Sequence, residues 1–359
     1  MFVKGVKTMG LELYLGANTP YGFYPLFEQF ADSMRRVFII KGGPGSGKST
    51  MMKRLASFGE EKGAETVRIY CSSDSDSLDG VWFPDHGILY ADGTAPHVLE
   101  AKTPGAKEEL IDFGQCFDTK GLEAQLDAIR DADRRLKAHY AQCYAYLAAA
   151  QKVKMQADRL GAADPALVKK KAAALVRRAI PKRKGAEKGK TFDVFLGSFT
   201  KNGLEQRMLP ENYTCIPVFD PASAGMPLFE ETAKKACDNG YTVLKAHDPY
   251  DPEKGIVHLL FPELKLAVVS SGRAFGYENA PGRRIHLEMR HPGAEKAQIS
   301  RDRKLQKALE ACASQALAEA KEVHDEIEAL YWPYVRFEIA DRITAQQLSY
   351  LSGIFSGHR

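Results

Sequence analysis

Short apolar runs along the chain alternate with long stretches whose apolar positions recur every three or four residues. "LELYLG" (11–16) and "RVFIIKG" (36–42) are the first runs. The second is near-continuously apolar, the pattern of a strand covered on both faces in a parallel sheet. Residues 49–62 carry helical spacing, and "TVRIYC" (66–71) and "GILYAD" (87–92) are two further strands. Strands alternating with helices predict an α/β unit. The period then changes. From Leu122 to Leu160 there is neither proline nor glycine, and Leu122, Leu126, Ile129, Ala132, Leu136, Tyr140, Cys143, Leu147 and Ala150 step by threes and fours. That spacing predicts one long amphipathic helix. "GAADP" (161–165) predicts a turn, "ALVKKKAAALVRRAI" (166–180) a returning helix, and the charged "PKRKGAEKGK" (181–190) a linker.

The whole pattern then repeats. "ELYLGANTPYGF" (12–23) aligns without a gap on "DVFLGSFTKNGL" (193–204). "TVRIYCSSD…WFPDHGILYAD" aligns on "TVLKAHDPYD…LFPELKLAVVS", and "HVLEAKTPGA" (97–106) on "HLEMRHPGA" (286–294). A second long helix follows, with Leu305, Leu309, Cys312, Ala316, Ala320, Val323, Ile327 and Leu330 on one face, and "ITAQQLSYLSGIF" (343–355) returns from it. Collinear blocks at this spacing predict a domain duplication rather than a solenoid. The expected division is residues 1–185 and 186–359, each with an appended helical hairpin, at about 121–180 and 296–355.

"GGPGSGKST" (42–50) carries the chemistry. Gly42, Gly47, Lys48 and Ser49 satisfy G-x-x-x-x-G-K-[ST] between an expected buried strand and an expected helix. Gly42, Gly43, Pro44, Gly45, Ser46 and Gly47 form a loop whose backbone N–H groups approach phosphate oxygens. Lys48 is the expected cation on the β- and γ-phosphates, and Ser49 the expected Mg²⁺ ligand. The helix that continues through Thr50 adds its N-terminal partial charge. Asp92, at the tip of "GILYAD", is the expected second magnesium anchor; the alternative is an aspartate that starts a turn with Gly93. ATP and Mg²⁺ are therefore the expected ligands. Thr94 and His97 are candidates for γ-phosphate or substrate contact, and Asp74, Asp76 and Asp79 for a substrate hydroxyl or metal. No glutamate follows Asp92, which predicts slow intrinsic hydrolysis or a base from elsewhere.

The repeat sets 42–49 opposite 220–227. Lys48 then faces Met226, Ser49 faces Pro227 and Asp92 faces Ser270. A neutral thioether and an imino acid supply neither the cation nor the hydroxyl, and Asp220 adds a negative charge. One live site is expected, in the first half. The stretches "TPYGF" (19–23), "IIKGGPGSGKST" (39–50), "CSSDSDSLDGV" (71–81) and "DGTAPH" (92–97) resemble the bacterial tandem P-loop ATPases or ATP-binding proteins. The resemblance implies two tandem P-loop NTPase-like α/β domains with parallel sheets, and ATP binding. This chain departs from members that keep a P-loop in both halves.

Composition adds limits. With 359 residues, 44% hydrophobic and 27% charged, the chain has an ordinary globular balance. Six cysteines without a CxxC spacing fit a reduced, cytoplasmic compartment. The start lacks a long apolar core and no run of 18 apolar residues occurs, so neither a signal peptide nor a membrane span is expected. The expected function is a Mg²⁺-dependent ATPase switch. Its two halves would pack as an intramolecular pseudo-dimer, with Arg273, Arg283 or Arg284 of the second copy reaching the first site. A small-molecule or nucleotide kinase is one alternative. The other is a nucleic-acid-associated protein, because residues 151–190 hold 13 Lys or Arg against 3 Asp or Glu. The helical hairpins are also a candidate surface for a protein partner.

Overall fold

A computed structural model describes residues 10–159, 165–220, 225–287 and 296–357. The turn expected at "GAADP" and parts of the 220–227 and 286–294 blocks lie outside the described residues. The chain forms two compact units. The first takes the chain through Gly16, then Pro25–Gln142 and the chain from Gln315; the second takes Ala17–Tyr24 and Cys143–Ser314.

The first half runs β1 (Glu12–Leu13), a hairpin of β2 (Gly16–Thr19) and β3 (Gly22–Pro25), α1 (Phe27–Asp32), β4 (Arg36–Lys41) and α2 (Lys48–Glu61). It continues with β5 (Val67–Tyr70), β6 (Leu78–Phe83), β7 (Ile88–Asp92), β8 (Glu108–Asp112), α3 (Thr119–Glu123), α4 (Leu126–Arg159) and α5 (Pro165–Ala179). The second half runs β9 (Thr191–Val194), β10 (Gly197–Thr200), β11 (Gly203–Gln206), β12 (Thr214–Phe219), α6 (Met226–Asp238), β13 (Val243–Asp248) and β14 (Asp251–Phe261). It ends with β15 (Leu266–Ser271), β16 (Ile285–His286), α7 (Lys296–Tyr331) and α8 (Phe337–Ser356).

The sheet of the first unit is ordered β1-β5-β6-β7-β4-β8, and that of the second β9-β13-β14-β15-β12-β16. Strand for strand the order is the same, so the duplication read from four sequence blocks extends to topology. Both sheets are mixed, which corrects the expectation of parallel sheets. β6 and β14 run antiparallel to both neighbours, while the other pairings are parallel. The reason is connection length. Only residues 84–87 join β6 to β7, too few for the crossover that a parallel pair needs.

The returning helices depart from simple hairpins. In the second unit α5 lies on α6, with Val168, Ala172 and Leu175 buried in one core with Leu228, Phe229 and Val268. In the first unit α8 lies on α2, and Leu351 joins Phe38, Met52, Leu55 and Phe83. The compact units therefore do not follow the 185/186 division, and α4 and α7 each contribute residues to both. Residues 181–190 are no linker either. Gly189 N–H donates to Cys237 O at 2.9 Å and Arg183 N–H to Asn239 O at 3.1 Å. Gly189 crosses Tyr241 so closely that a Cβ would stand 1.9 Å from its carbonyl oxygen. Among the described residues no helix is long and apolar enough to cross a membrane.

Candidate functional site

β4 sits between β7 and β8, with Val37, Phe38, Ile39 and Ile40 buried. Its register is fixed on both sides: Ile40 stands opposite Asp92 of β7 and Ile111 of β8. The chain leaves this strand at Lys41, turns through 42–47 and enters α2 at Lys48. The turn needs its glycines. Gly45 and Gly47 have φ of +67° and +97°, the left-handed region that side chains avoid. At Gly42 a Cβ would come within 2.6 Å of Phe113 Cβ. Gly47 is the N-cap of α2 and has no side chain to satisfy the first amides, which stay available to an anion.

Lys48 and Asp92 lie side by side. Lys48 Nζ donates to the carbonyls of Gly42 and Gly43 at 2.8 and 2.9 Å, and lies 3.7 Å from Asp92 Oδ2. The other carboxylate oxygen of Asp92 accepts Thr94 N–H at 2.8 Å. Thr94 Oγ1 donates to Gly42 O and accepts Gly42 N–H, at 3.1 and 3.3 Å, so 92–94 is tied to the first glycine of the loop. Ser49 Oγ accepts Leu78 N–H at 3.0 Å. Ser46 is buried and donates to Gly43 O at 2.8 Å, closing the loop on itself. Thr50 is exposed in the first turn of α2. Ser49 and Asp92 offer a hydroxyl and a carboxylate oxygen, a donor set that fits a hard divalent cation.

The other acidic candidates separate. Asp74 turns to Lys321 Nζ, 3.6 Å away, and accepts Asp76 N–H. Asp79 is buried on β6 and paired with His97, Nε2 to Oδ2 3.2 Å. Burial pushes the Asp79 carboxyl up to about 6, the charge of Asp92 adds to this, and His97 and Lys48 oppose it. The Asp79–His97 pair is thus a buried acid–base couple within electrostatic reach of the loop.

Three neighbours of the loop, Glu328, Tyr331 and Phe117, were not anticipated. Gly45 N–H donates to Glu328 Oε1 at 3.2 Å. Tyr331, one turn further along α7, and Phe117 flank Gly43, at 3.2 and 3.1 Å from where a Cβ would stand. α7 is held here by α4. Arg135 bonds Glu326, His139 lies 3.2 Å from Glu319, and Ala132 is buried against Val323 and Ile327. His324, Asp325 and Glu328 place one oxygen or nitrogen each within 4.8 Å of one another, but Lys321 already bonds Asp325. The spacing of Glu328 and Tyr331 marks a shared helix face, and nothing in the sequence says what that face meets.

In the second unit the corresponding turn holds its own carboxylate. Asp220 is fully buried and accepts Gly225 N–H at 2.9 Å. Arg273, with its side chain 6% exposed, pairs with Asp220 at 3.4 Å and also with Asp248. Arg273 is therefore consumed within its own unit and is not a free arginine. Arg284 is bonded to the carbonyl of Glu278. In the basic segment Lys154 pairs with Asp158, Lys171 bonds His286 O and Lys188 pairs with Asp238, while Lys169, Lys170, Arg177 and Arg178 are exposed. No family model, curated protein or solved structure matches the chain.

Proposed function

We propose that the first unit binds the triphosphate of ATP with Mg²⁺ at residues 42–50 and hydrolyses it slowly, while the second unit is a copy without a nucleotide site. One observation carries this reading. A glycine-built turn between a buried strand and a helix places the Lys48 ammonium against its own carbonyls and 3.7 Å from Asp92, at the tip of the adjacent strand. Backbone N–H groups of Gly43, Gly45, Ser46 and Gly47 would hold phosphate oxygens, and Lys48 would turn from the loop carbonyls to the β- and γ-phosphates. Ser49 and Asp92 would hold Mg²⁺, which when bound offsets the charge on the terminal phosphates. None of the six cysteines forms a disulfide, which supports a cytoplasmic location.

The test is MgATP binding and ADP release by the wild type beside Lys48→Ala. The expected result is loss of both, by about 100-fold or more for turnover. Equal binding and turnover in the variant would refute the assignment. A second reading, phosphoryl transfer to a small acceptor, is favoured by the Asp79–His97 pair. A carboxyl held near 6 is poised to take a proton from a hydroxyl. ADP release that requires one added metabolite, and is lost in Asp79→Asn, would select it.

A further inference from the structure

The chain has two tryptophans, and they lie in opposite environments. Trp82 is 3% exposed and Trp332 65% exposed. A large exposed indole invites a partner, and its location limits which one. Trp332 opens the short turn between α7 and α8, edge-on to Phe337 with ring centroids 6.5 Å apart; Phe337 is 42% exposed. This turn is not loose. Arg336 N–H donates to Cys116 O at 2.7 Å, and Asp118 N–H to Tyr334 O at 2.8 Å. The Arg336 guanidinium donates to the carbonyls of Gln115 and Phe117 at 2.9 and 3.1 Å.

The segment to which it is bound, 113–118, follows β8 and supports the glycine loop, Phe113 behind Gly42 and Phe117 beside Gly43. Tyr331, the residue before Trp332, borders Gly43. Ala340, one turn into α8 from Phe337, stands 3.8 Å from the Cβ position of Gly47. The exposed aromatic pair is thus anchored beside the loop on its β8 flank. Asp92 and Thr94 occupy the β7 flank, where Lys48 draws the terminal phosphates.

We propose that Trp332, with Phe337 beside it, is the stacking platform for the base of the bound nucleoside triphosphate. This rests on residues 42–50 being the triphosphate site. With the phosphate end fixed towards β7, the ribose and base leave towards β8, where an indole face is already held. A planar base supplies the π face that such a surface takes up, and stacking on an aromatic side chain accounts for about ten-fold or more in affinity.

The experiment titrates the full chain with MgATP and with magnesium tripolyphosphate, following heat and tryptophan emission. ATP is expected to quench the exposed tryptophan, and tripolyphosphate to bind without quenching. Trp332→Ala should weaken ATP about ten-fold or more while leaving tripolyphosphate unchanged, and Trp332→Phe should restore most of the loss. Undiminished ATP affinity in Trp332→Ala, or an equal loss for both ligands, overturns the platform. If the wild type binds neither ligand, the triphosphate reading fails and the platform falls with it; tripolyphosphate binding in the wild type keeps the two failures distinct.

Discussion

Glu328 occupies an amide that the proposed triphosphate would need, so replacing it by glutamine gives a signed test of that proposal. Its Oε1 accepts Gly45 N–H at 3.2 Å, and the residue is half-buried at the end of α7. A phosphate oxygen seeking the same N–H must displace the carboxylate and then tolerate its charge nearby. At a separation of roughly 6 Å, one carboxylate and one phosphate charge repel by about 0.7 kcal/mol at the dielectric of water and about 2.8 kcal/mol at an effective value near 20. Glutamine keeps the shape and an acceptor oxygen but removes the charge. Glu328→Gln should therefore tighten a non-hydrolysable MgATP analogue about ten-fold, near the middle of that range. Titration calorimetry at about 50 and about 500 mM salt checks the mechanism, because screening should shrink the difference between the proteins. The ligand-free variant should be slightly less stable, having exchanged a charge-assisted hydrogen bond for a neutral one. Affinity and stability thus move in opposite directions. Unchanged or weaker nucleotide binding in Glu328→Gln would refute the idea that this carboxylate competes with phosphate.

Two further predictions concern the second unit, where buried charges and a buried histidine bear on stability. Arg273→Met leaves Asp220 and Asp248 buried without their cation and should cost about 3–5 kcal/mol in denaturant unfolding, partly restored by adding Asp248→Asn; a loss below about 1 kcal/mol would contradict a buried ion cluster. His258 is buried, its Nδ1 accepts Ser270 N–H at 3.2 Å, and burial pushes its pKa down from the ordinary 6.5 to about 3. The unfolded chain takes up that proton first, so the contribution of His258 is whole above about 6.5 and is lost as pH falls towards about 3. At pH 4.5 the loss is on the order of 2–3 kcal/mol. His258→Gln should flatten the fall in stability between pH 7 and 4.5, and equal acid sensitivity in both proteins would refute the assignment.

The pattern of apolar residues was informative about elements and poor about partners. The continuous run ending at Lys41 placed β4 in the sheet interior, and glycine chemistry placed the turn that follows it. The strand tip of "GILYAD" put Asp92 beside Lys48 because neighbouring strands in register end together. β6 was missed because "LDGVWF" is short and interrupted by glycine, and with it went the mixed character of the sheet. The helical stripes on α5 and α8 showed that those faces are buried, but a stripe carries no address. That α5 seals the second core and α8 the first follows from where α4 and α7 deliver them, which periodicity does not encode. Glu328 and Tyr331 were illegible for the same reason. The linker reading of 181–190 failed differently: glycine there permits a close backbone crossing at Tyr241, and the same residue type would serve a flexible tether.

The two glycine turns, compared on the same sheet position, hold carboxylates of different origin. In the second unit Asp220 comes from the turn itself, bonds Gly225 N–H, and is locked by Arg273, which Asp248 also holds. Withdrawing Asp220 from the Gly225 N–H would break a buried ion cluster, so this amide is not open to an anion. In the first unit the carboxylate comes from a distant helix, bonds a single amide at 3.2 Å, and is half-buried. Its withdrawal costs one partly solvated hydrogen bond, on the order of 1–2 kcal/mol, which several phosphate contacts and a lysine exceed. The Gly225 amide is thus held by a carboxylate locked in place, and the Gly45 amide by a removable contact. Under the proposed function, the second arrangement would tie occupancy of the glycine loop to the end of α7, a helix of 36 residues that contributes to both units. If that contact is the link between ligand and helix, nucleotide should raise amide exchange in 315–331 in the wild type and leave it unchanged in Glu328→Gln. Equal nucleotide-induced exchange in both proteins would show that α7 does not read the site through Glu328.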